Sequence, residues 1–462
     1  MISAKKIYFI GIGGAGMSSQ ALWLKARGFD IAGSDVAESE ITKNLRENGI
    51  SVQIGHKISD SLKNSDLVVY SSAIKNGNDE LDFAQNSGKT VIKRAEMLGI
   101  MADTAQNLIA VCGSAGKSST TGFTACVLNA AEKEPSVIVG GVFAGKQSGM
   151  QIGGRNECFL AEADEFDRSF LNLKNIKLAL CTGIEAEHLD VYKDFNGVKN
   201  AFIEFFANVR DDGLAVLCND SDGVREIYSE INCRKVSFGL KNDADYRAKN
   251  IRYENGKTIF EIHKSDKLLG NAEIKLIGEH NVLNALGAIA AGLESGIDFE
   301  TAAKGVSEFG GIKRRIEKIT EINGISVFSD YSHHPTKISA ALNALQKIKT
   351  DSIGGVGRII TLFQPHTFTR TRDFAENFAS ALEISDVVLL TEIYPAREKP
   401  IEGISEKSIA KFFKSENSQI VAKCNAAKEC AKIAEAGDII VVMGAGDIDA
   451  EIGNIIAELK NG

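Results

Sequence analysis

The sequence predicts an α/β protein of three domains: an N-terminal Rossmann-like domain, a central P-loop ATPase-like domain and a C-terminal Rossmann-like domain. Three observations predict it. Strand-like apolar runs alternate with helix-like segments almost throughout, the pattern that builds largely parallel sheets. The chain has 462 residues, which suggests about three domains at roughly 100–200 residues each. Two glycine loops, far apart in the chain, each follow a strand-like run and open a helix, as phosphate-binding loops do.

The first domain is expected over residues 1–103. Ile7–Ile10 reads as a strand, Gly11-Ile12-Gly13-Gly14-Ala15-Gly16 as a loop, and about Met17 to Arg27 as a helix. A second strand near Asp30–Ala32 ends at Gly33-Ser34-Asp35, and Leu67–Tyr70 ends at Ser71-Ser72-Ala73. The spacing Gly11-x-Gly13-x-x-Gly16 lets a backbone turn tightly and approach a diphosphate, which rests on the amides of the helix start. Asp35, 19 residues after Gly16, falls where an acidic side chain often meets a ribose hydroxyl. Taken alone, this block suggests a nicotinamide-dependent oxidoreductase.

The central domain is expected over residues 104–312. The strand Leu108–Cys112 runs into Gly113-Ser114-Ala115-Gly116-Lys117-Ser118-Ser119-Thr120. This is a shortened P-loop, since Val111 stands where the full pattern has its first glycine. Its amides can cradle phosphates, Lys117 can reach the β- and γ-phosphates, and the Ser118 hydroxyl can ligate Mg²⁺. Two phosphate loops on separate folds suit an enzyme that takes ATP and a nucleotide-linked substrate; a dehydrogenase needs one.

Two acidic runs follow, Glu162-Ala163-Asp164-Glu165-Phe166-Asp167 after the strand-like Glu157–Leu160, and Glu185-Ala186-Glu187-His188 after Leu178–Thr182. Hard Mg²⁺ prefers such oxygen ligands and tolerates one imidazole. Asp243–Gly270 reads as a polar, β-rich peripheral excursion. In Gly278-Glu279-His280-Asn281-Val282-Leu283-Asn284 the two asparagines share one helix face and can offer paired donors and acceptors to an adenine edge.

The third domain is expected over residues 313–462, opening at Lys313-Arg314-Arg315, with strands near Ile359–Phe363, Val387–Thr391 and Ile439–Met443. It carries Asp330-Tyr331-Ser332-His333-His334-Pro335-Thr336 and Phe363-Gln364-Pro365-His366-Thr367-Phe368-Thr369-Arg370-Thr371-Arg372-Asp373. Two arginines after a strand end suit bidentate capture of a carboxylate or phosphate. Of the seven histidines, His188, His280, His333, His334 and His366 lie in these motifs, a clustering that core packing does not explain.

Composition bounds the rest. A net charge of −8 argues against nucleic acid as the main partner. Eight cysteines without a CxxC pair read as reduced, mostly buried thiols. No apolar run approaches the roughly 20 residues of a membrane span, and a cytoplasmic location without membrane insertion is expected.

Taken in order, these motifs resemble the Mur ligases of peptidoglycan synthesis, and the resemblance spans most of the chain. It implies one domain for a UDP sugar, one for ATP and one for an amino acid. Phe363-Gln364-Pro365-His366 with Arg370 and Arg372, and the Gly11–Ser18 loop, look most like the branch that adds L-alanine to UDP-N-acetylmuramate. The resemblance implies ATP and Mg²⁺ as cofactors, and a monomer or homodimer. Lys117 and Gly113, Ser114, Ala115, Gly116, Ser118 and Ser119 match the phosphate loop; Asn281, Asn284, Arg315 and Asp330 match nucleotide contacts. Ser118, Glu162 and His188 match metal ligands. Gly11, Gly13, Gly14, Gly16, Met17, Asp35, Ser71 and Ser72 match the sugar-nucleotide side, and Arg370 with Arg372 the incoming amino acid. His333, His334 and His366 match residues near the reacting groups, without a choice among them for the base that takes the amine proton. The expected reaction passes through an acyl phosphate, with domain closure around the three ligands. The loop departs from the family's Gly-Thr-His-Gly-Lys-Thr-Thr at Ala115, and Gly183 and Thr367 replace an asparagine and an arginine. A murein tripeptide-recycling ligase, or a non-catalytic nucleotide-binding homologue, is the alternative.

Overall fold

The computed structural model describes residues 4–154, 158–254, 256–351, 357–396 and 398–461. The first sheet is built from β1 Lys6–Ile10, β2 Asp30–Asp35, β3 Ser51–Ile54, β4 Leu67–Tyr70 and β5 Thr90–Lys93, in the order β3-β2-β1-β4-β5. All its pairs are parallel. Ile7, Tyr8, Phe9 and Ile10 are all buried, as the central strand of a parallel sheet covered on both faces must be. The order reverses between β1 and β4, the crevice where such sheets bind ligands beyond their carboxyl ends.

The central sheet holds β6 Asn107–Cys112, β7 Ser136–Ile138, β8 Met150–Gln151, β9 Cys158–Glu162, β10 Ile176–Cys181, β11 Val209–Cys218, β12 Arg234–Gly239, β13 Tyr246–Glu254, β14 Lys257–Lys264 and β15 Lys267–Ile274. Its order is β15-β14-β13-β12-β11-β10-β6-β9-β7-β8. Strand β9 begins at Cys158; Glu157, expected as its first residue, lies outside the described residues. The polar stretch expected as an excursion instead continues the sheet at one edge as β13–β15. The third sheet holds β16 Glu317–Ile322, β17 Ile325–Asp330, β18 Ile359–Phe363, β19 Val387–Leu390, β20 Ser418–Ile420 and β21 Ile439–Met443, ordered β16-β17-β21-β18-β19-β20. The β16–β17 pair is an antiparallel hairpin and the other pairs are parallel.

The first two sheets belong to one compact unit, formed by the chain up to Arg252 with residues 258–275 and 281–310; the third sheet belongs to another, formed by 253–257, 276–280 and 311–462. All eight cysteines are free. Among the described residues no helix is long and apolar enough to cross a membrane.

Within the first unit, the two sheets are joined by packing, by Arg27 and by the ion pairs Lys93–Asp167 and Arg94–Asp164. Trp23, on the helix Ala15–Ala26, meets Phe159 of β9 edge-on with centroids 5.9 Å apart. Arg27 lies over the Trp23 ring and donates to Ser136 Oγ and to the carbonyls of Gly153 and Gly154, each at 3.3 Å. On the other side, the helix Arg94–Ala102 packs against the turn Phe166–Asn172 through Gly99, where a Cβ would lie 2.5 Å from the Asn172 carbonyl oxygen. In an open helix Gly→Ala would stabilise by about 1 kcal/mol. Here the backbone contact reverses the sign, and Gly99→Ala should destabilise the protein by roughly 1–3 kcal/mol. Denaturant unfolding reads this directly; a variant as stable as the parent would show that the two elements can part without cost.

Candidate active site

Strand β6 ends in the phosphate loop and the helix Lys117–Ala130 begins at its far side. Gly113 (φ +130°) and Gly116 (φ +80°) take backbone conformations that side chains disfavour. A Cβ on Gly113 would strike Thr182 Oγ1 and the Gly183 backbone, and one on Gly116 would lie 2.4 Å from Asn284 Oδ1. The loop is stitched to the segment after β10. Ser114 N–H donates to the Gly183 carbonyl at 2.9 Å, Glu185 N–H to Ser114 Oγ at 2.8 Å, and the Thr182 hydroxyl to the Ala115 carbonyl. Ser118 and Ser119 lie in the first turn of the helix.

Lys117 is the cation of this loop. Its Nζ donates to the Gly113 carbonyl at 2.7 Å and pairs with Glu165 Oε2 at 2.7 Å. Burial works against its charge, but the carboxylates of Glu165, Asp164 and Glu162 outweigh it and hold the ammonium above its ordinary range. Burial likewise pushes the Glu165 carboxyl up, with Lys117 opposing. Asn281 and Asn284, at the start of the helix Glu279–Glu294, are both buried, and Asn284 sits directly over Gly116.

The expected metal ligands separate into two groups. Ser118 Oγ donates to Glu162 Oε1 at 3.0 Å, and Gly140 N–H to Glu162 Oε2 at 2.7 Å. His188 Nε2 instead faces Glu165 Oε1 at 3.7 Å and Glu187 Oε2 at 4.0 Å. Glu165, Glu187 and His188 bring ligand atoms within 4.8 Å of one another, and Glu165 Oε1 is buried without a hydrogen-bond donor. Two carboxylates and one imidazole around an unsatisfied buried oxygen fit a small hard cation. His188 itself takes a left-handed conformation (φ +56°). Glu165 and Glu187 lie inside the acidic runs, and that place is the sequence signal for them; nothing local separates them from their neighbours.

At the first sheet, the glycine loop crosses the carboxyl ends of β1, β2 and β4. Gly11 (φ +81°) packs against Ser71, whose own amide bonds the Ile10 carbonyl. Ser72 is exposed beside it. Asp35 Oδ2 accepts the Gly13 N–H at 2.8 Å, so its carboxylate braces the loop. Gly14 is the N-cap of the helix Ala15–Ala26, Gly16 lies against the Arg94 guanidinium, and Met17 is in the core.

In the second unit, Asp330 ends β17 with both carboxylate oxygens taken by its own domain, from Ile316 N–H at 2.9 Å and Ser332 N–H at 2.8 Å. It shapes the loop at the sheet's carboxyl end. Arg314 and the exposed Arg315 flank the Tyr331 ring. His333 lies near His366, with ring centroids 5.8 Å apart, and its Nδ1 meets the Tyr331 carbonyl at 2.9 Å. His366 stacks on Tyr394 and its Nδ1 accepts from Arg370 Nη1 at 3.2 Å. His334 packs edge-on against Phe374. Burial pushes His333 down to about 3 against the pull of the Tyr331 carbonyl. Burial and then Arg370 hold His366 below its ordinary value, so both rings are neutral at neutral pH. Thr367, β-branched yet at φ +72°, turns the chain from His366 into the helix Phe368–Leu382 that carries Arg370. The structure does not bring Arg372 into this cluster: it is exposed and paired with Asp373.

Three family models match the chain: "Mur ligase family, catalytic domain" over residues 6–106, "Mur ligase middle domain" over 111–292 and "Mur ligase, glutamate ligase domain" over 314–446. A UDP-N-acetylmuramate–L-alanine ligase of Sorangium cellulosum is 37% identical over 99% of this chain and 97% of its own length. One from Desulforamulus reducens is 38% identical over 96% of each. Among solved structures, the UDP-N-acetylmuramate–alanine ligase of Thermotoga maritima aligns over 99% of both chains with a TM-score of 0.84 and 26% identity. A murein peptide ligase of Psychrobacter arcticus aligns over 99% of both with a TM-score of 0.72 and 23% identity, a likeness of fold.

The fit of Asn284 over Gly116 sets a test of the loop. Gly116→Ala adds a methyl at a positive φ and forces the Asn284 amide away. The KM for nucleotide should rise about tenfold or more, a loss of roughly one to two hydrogen bonds' worth of binding. Nucleotide affinity equal to the parent's would show that Asn284 does not need its place.

Proposed function

The chain belongs to the Mur ligase family, and on that footing we propose that it joins L-alanine to the lactyl carboxylate of UDP-N-acetylmuramate, with cleavage of ATP to ADP and phosphate. This is a step of peptidoglycan precursor synthesis in the cytoplasm. We assign the sugar nucleotide to residues 1–103, ATP to 104–312 and the amino acid to 313–462. The observation that carries the reading is Lys117, held at the mouth of a glycine phosphate loop beside Glu165, in a chain similar end to end to alanine-adding ligases.

A carboxylate is a poor acyl donor because oxide is a hopeless leaving group. In the first step its oxygen attacks the γ-phosphorus, the bond to ADP breaks, and an acyl phosphate forms. The loop amides orient the triphosphate, and the Lys117 ammonium offsets the charge that spreads over the transferring phosphoryl group. Asn281 and Asn284 hold the adenine side. Glu165, Glu187 and His188, with Ser118 and Glu162, are the residues that would hold Mg²⁺, which when bound neutralises part of the triphosphate charge.

In the second step the amine of alanine attacks the acyl carbon, and phosphate leaves with the bonding electrons. Arg370 binds the amino acid's carboxylate through its planar fork. His366, whose Nδ1 accepts from Arg370, carries its proton on Nε2 while that contact holds, so it presents a donor there and becomes a base only when Arg370 turns to the amino acid's carboxylate. The amine proton passes to a base among His333, His334 and His366.

Phosphate release measured with ATP, Mg²⁺ and UDP-N-acetylmuramate should require alanine, with serine, glycine and a tripeptide as comparison acceptors. Release that ignores all of them would overturn the reading. Lys117→Met should lower kcat by roughly 10²–10³-fold, the usual cost of removing one donor to developing charge. Arg370→Ala should raise the KM for alanine about tenfold or more and leave the KM for ATP unchanged, because one charge-assisted contact is lost. An alanine KM that stays put would end that assignment.

A further inference from the structure

Glu80, on the helix Asp79–Asn86, has no part in the phosphoryl or acyl chemistry, yet it is a wholly buried carboxylate. Such a group is costly to bury unless every oxygen finds a donor. Glu80 finds three, from three other segments. The Tyr8 hydroxyl of β1 donates to Oε1 at 2.7 Å, while the Ser34 hydroxyl of β2 and His56 Nδ1, just past β3, donate to Oε2, the latter at 2.6 Å. Ser34 is the link outward. Its carbonyl accepts both the Gly11 and Ile12 N–H groups at 2.9 Å, and the next residue, Asp35, takes the Gly13 N–H. Three successive amides of the glycine loop are therefore bound by the last two residues of β2. The first-turn amides of the helix Ala15–Ala26 have no intrahelical acceptor.

We infer that Glu80 is a positioning residue for the sugar nucleotide: by holding the Ser34 hydroxyl and His56 it fixes the end of β2, and through the Ser34 carbonyl it fixes the diphosphate loop. The inference rests on the reading of that loop as the sugar-nucleotide site. It differs from plain structural support in its selectivity. Disturbing the network should weaken one of the three substrates and spare the other two.

The test compares Glu80→Met, Glu80→Gln, Ser34→Ala and Tyr8→Phe in the full-length enzyme. Glu80→Met removes every acceptor, and Ser34→Ala removes the hydroxyl that ties the end of β2 to Glu80 and His56 while keeping the carbonyl that holds the loop. Both should raise the KM for UDP-N-acetylmuramate about tenfold, the scale of one lost hydrogen bond to a charged group. Their kcat and their KM values for ATP and alanine should stay within about twofold. Glu80→Gln should restore the parent KM, since its amide oxygen can still accept from Ser34 and His56. Tyr8→Phe, which leaves the Ser34 link whole, should shift the KM less than Ser34→Ala. Calorimetric titration of UDP-N-acetylmuramate without ATP should give the same ranking in Kd. If Glu80→Met does not fold, Ser34→Ala decides. A folded Ser34→Ala variant with the parent's KM and Kd, or a loss shared equally by all three substrates, overturns the inference. Failure of the unaltered enzyme to bind UDP-N-acetylmuramate would instead sink the substrate assignment beneath it.

Discussion

A lysine ammonium taken out of water must be given a negative partner, and in this protein that requirement organises the phosphate loop. Lys117 lies 2.7 Å from both the Gly113 carbonyl and Glu165. For the lysine to fold back over its own loop, the backbone must turn at two left-handed glycines, with Thr182, Gly183 and Asn284 filling the space where side chains would be. For Glu165 to arrive there, β9 must end one strand away from β6. The acidic run, the segment after β10 and the paired asparagines all converge because one charge needs company.

The same economy appears in how the three sheets present their loops. In each, the segments argued to meet ligand follow the carboxyl end of a buried strand: the loop from Gly11 after β1, the loop from Gly113 after β6, and the segments after β17 and β18 that carry His333, His366 and Arg370. The strands are buried and apolar, so polar groups can gather only where the strands stop. In the N-terminal sheet a second layer of polar groups lies under the loop rather than over it, and that layer ends in the buried Glu80.

Much of this was legible in the sequence, and the failures share a cause. Both glycine loops, the shortened P-loop and the alternating elements announce themselves locally, through spacing that only a tight turn before a helix explains. What could not be read were choices among near neighbours. Nothing local distinguishes Glu162 from Glu165, three residues apart, yet one accepts from Ser118 and Gly140 while the other meets Lys117 and His188. Asp35 has the spacing of a ribose contact, and the fold adds a role the spacing does not show: its Oδ2 braces Gly13. Asp330 has the look of a ligand contact, and its oxygens serve two backbone amides. Arg370 and Arg372 are two positions apart on one helix, so they must point to different sides; only the fold says which side faces His366. The short strands β16 and β20 carry too many polar residues to stand out and exist through pairing with neighbours.

One quieter feature lies beneath the glycine loop of the central sheet. Cys112 and Cys181 stand opposite each other in register on β6 and β10, each the last residue before a loop of the phosphate site. Both are sealed from water, and burial pushes the Cys112 thiol well above its ordinary range, so it stays an unreactive thiol in the closed fold. Alkylating reagents reach this pair only during moments when the sheet breathes open. The speed at which the two sulfurs are capped is therefore a natural clock for the restlessness of the strands beneath the glycine loop, and added nucleotide should slow it.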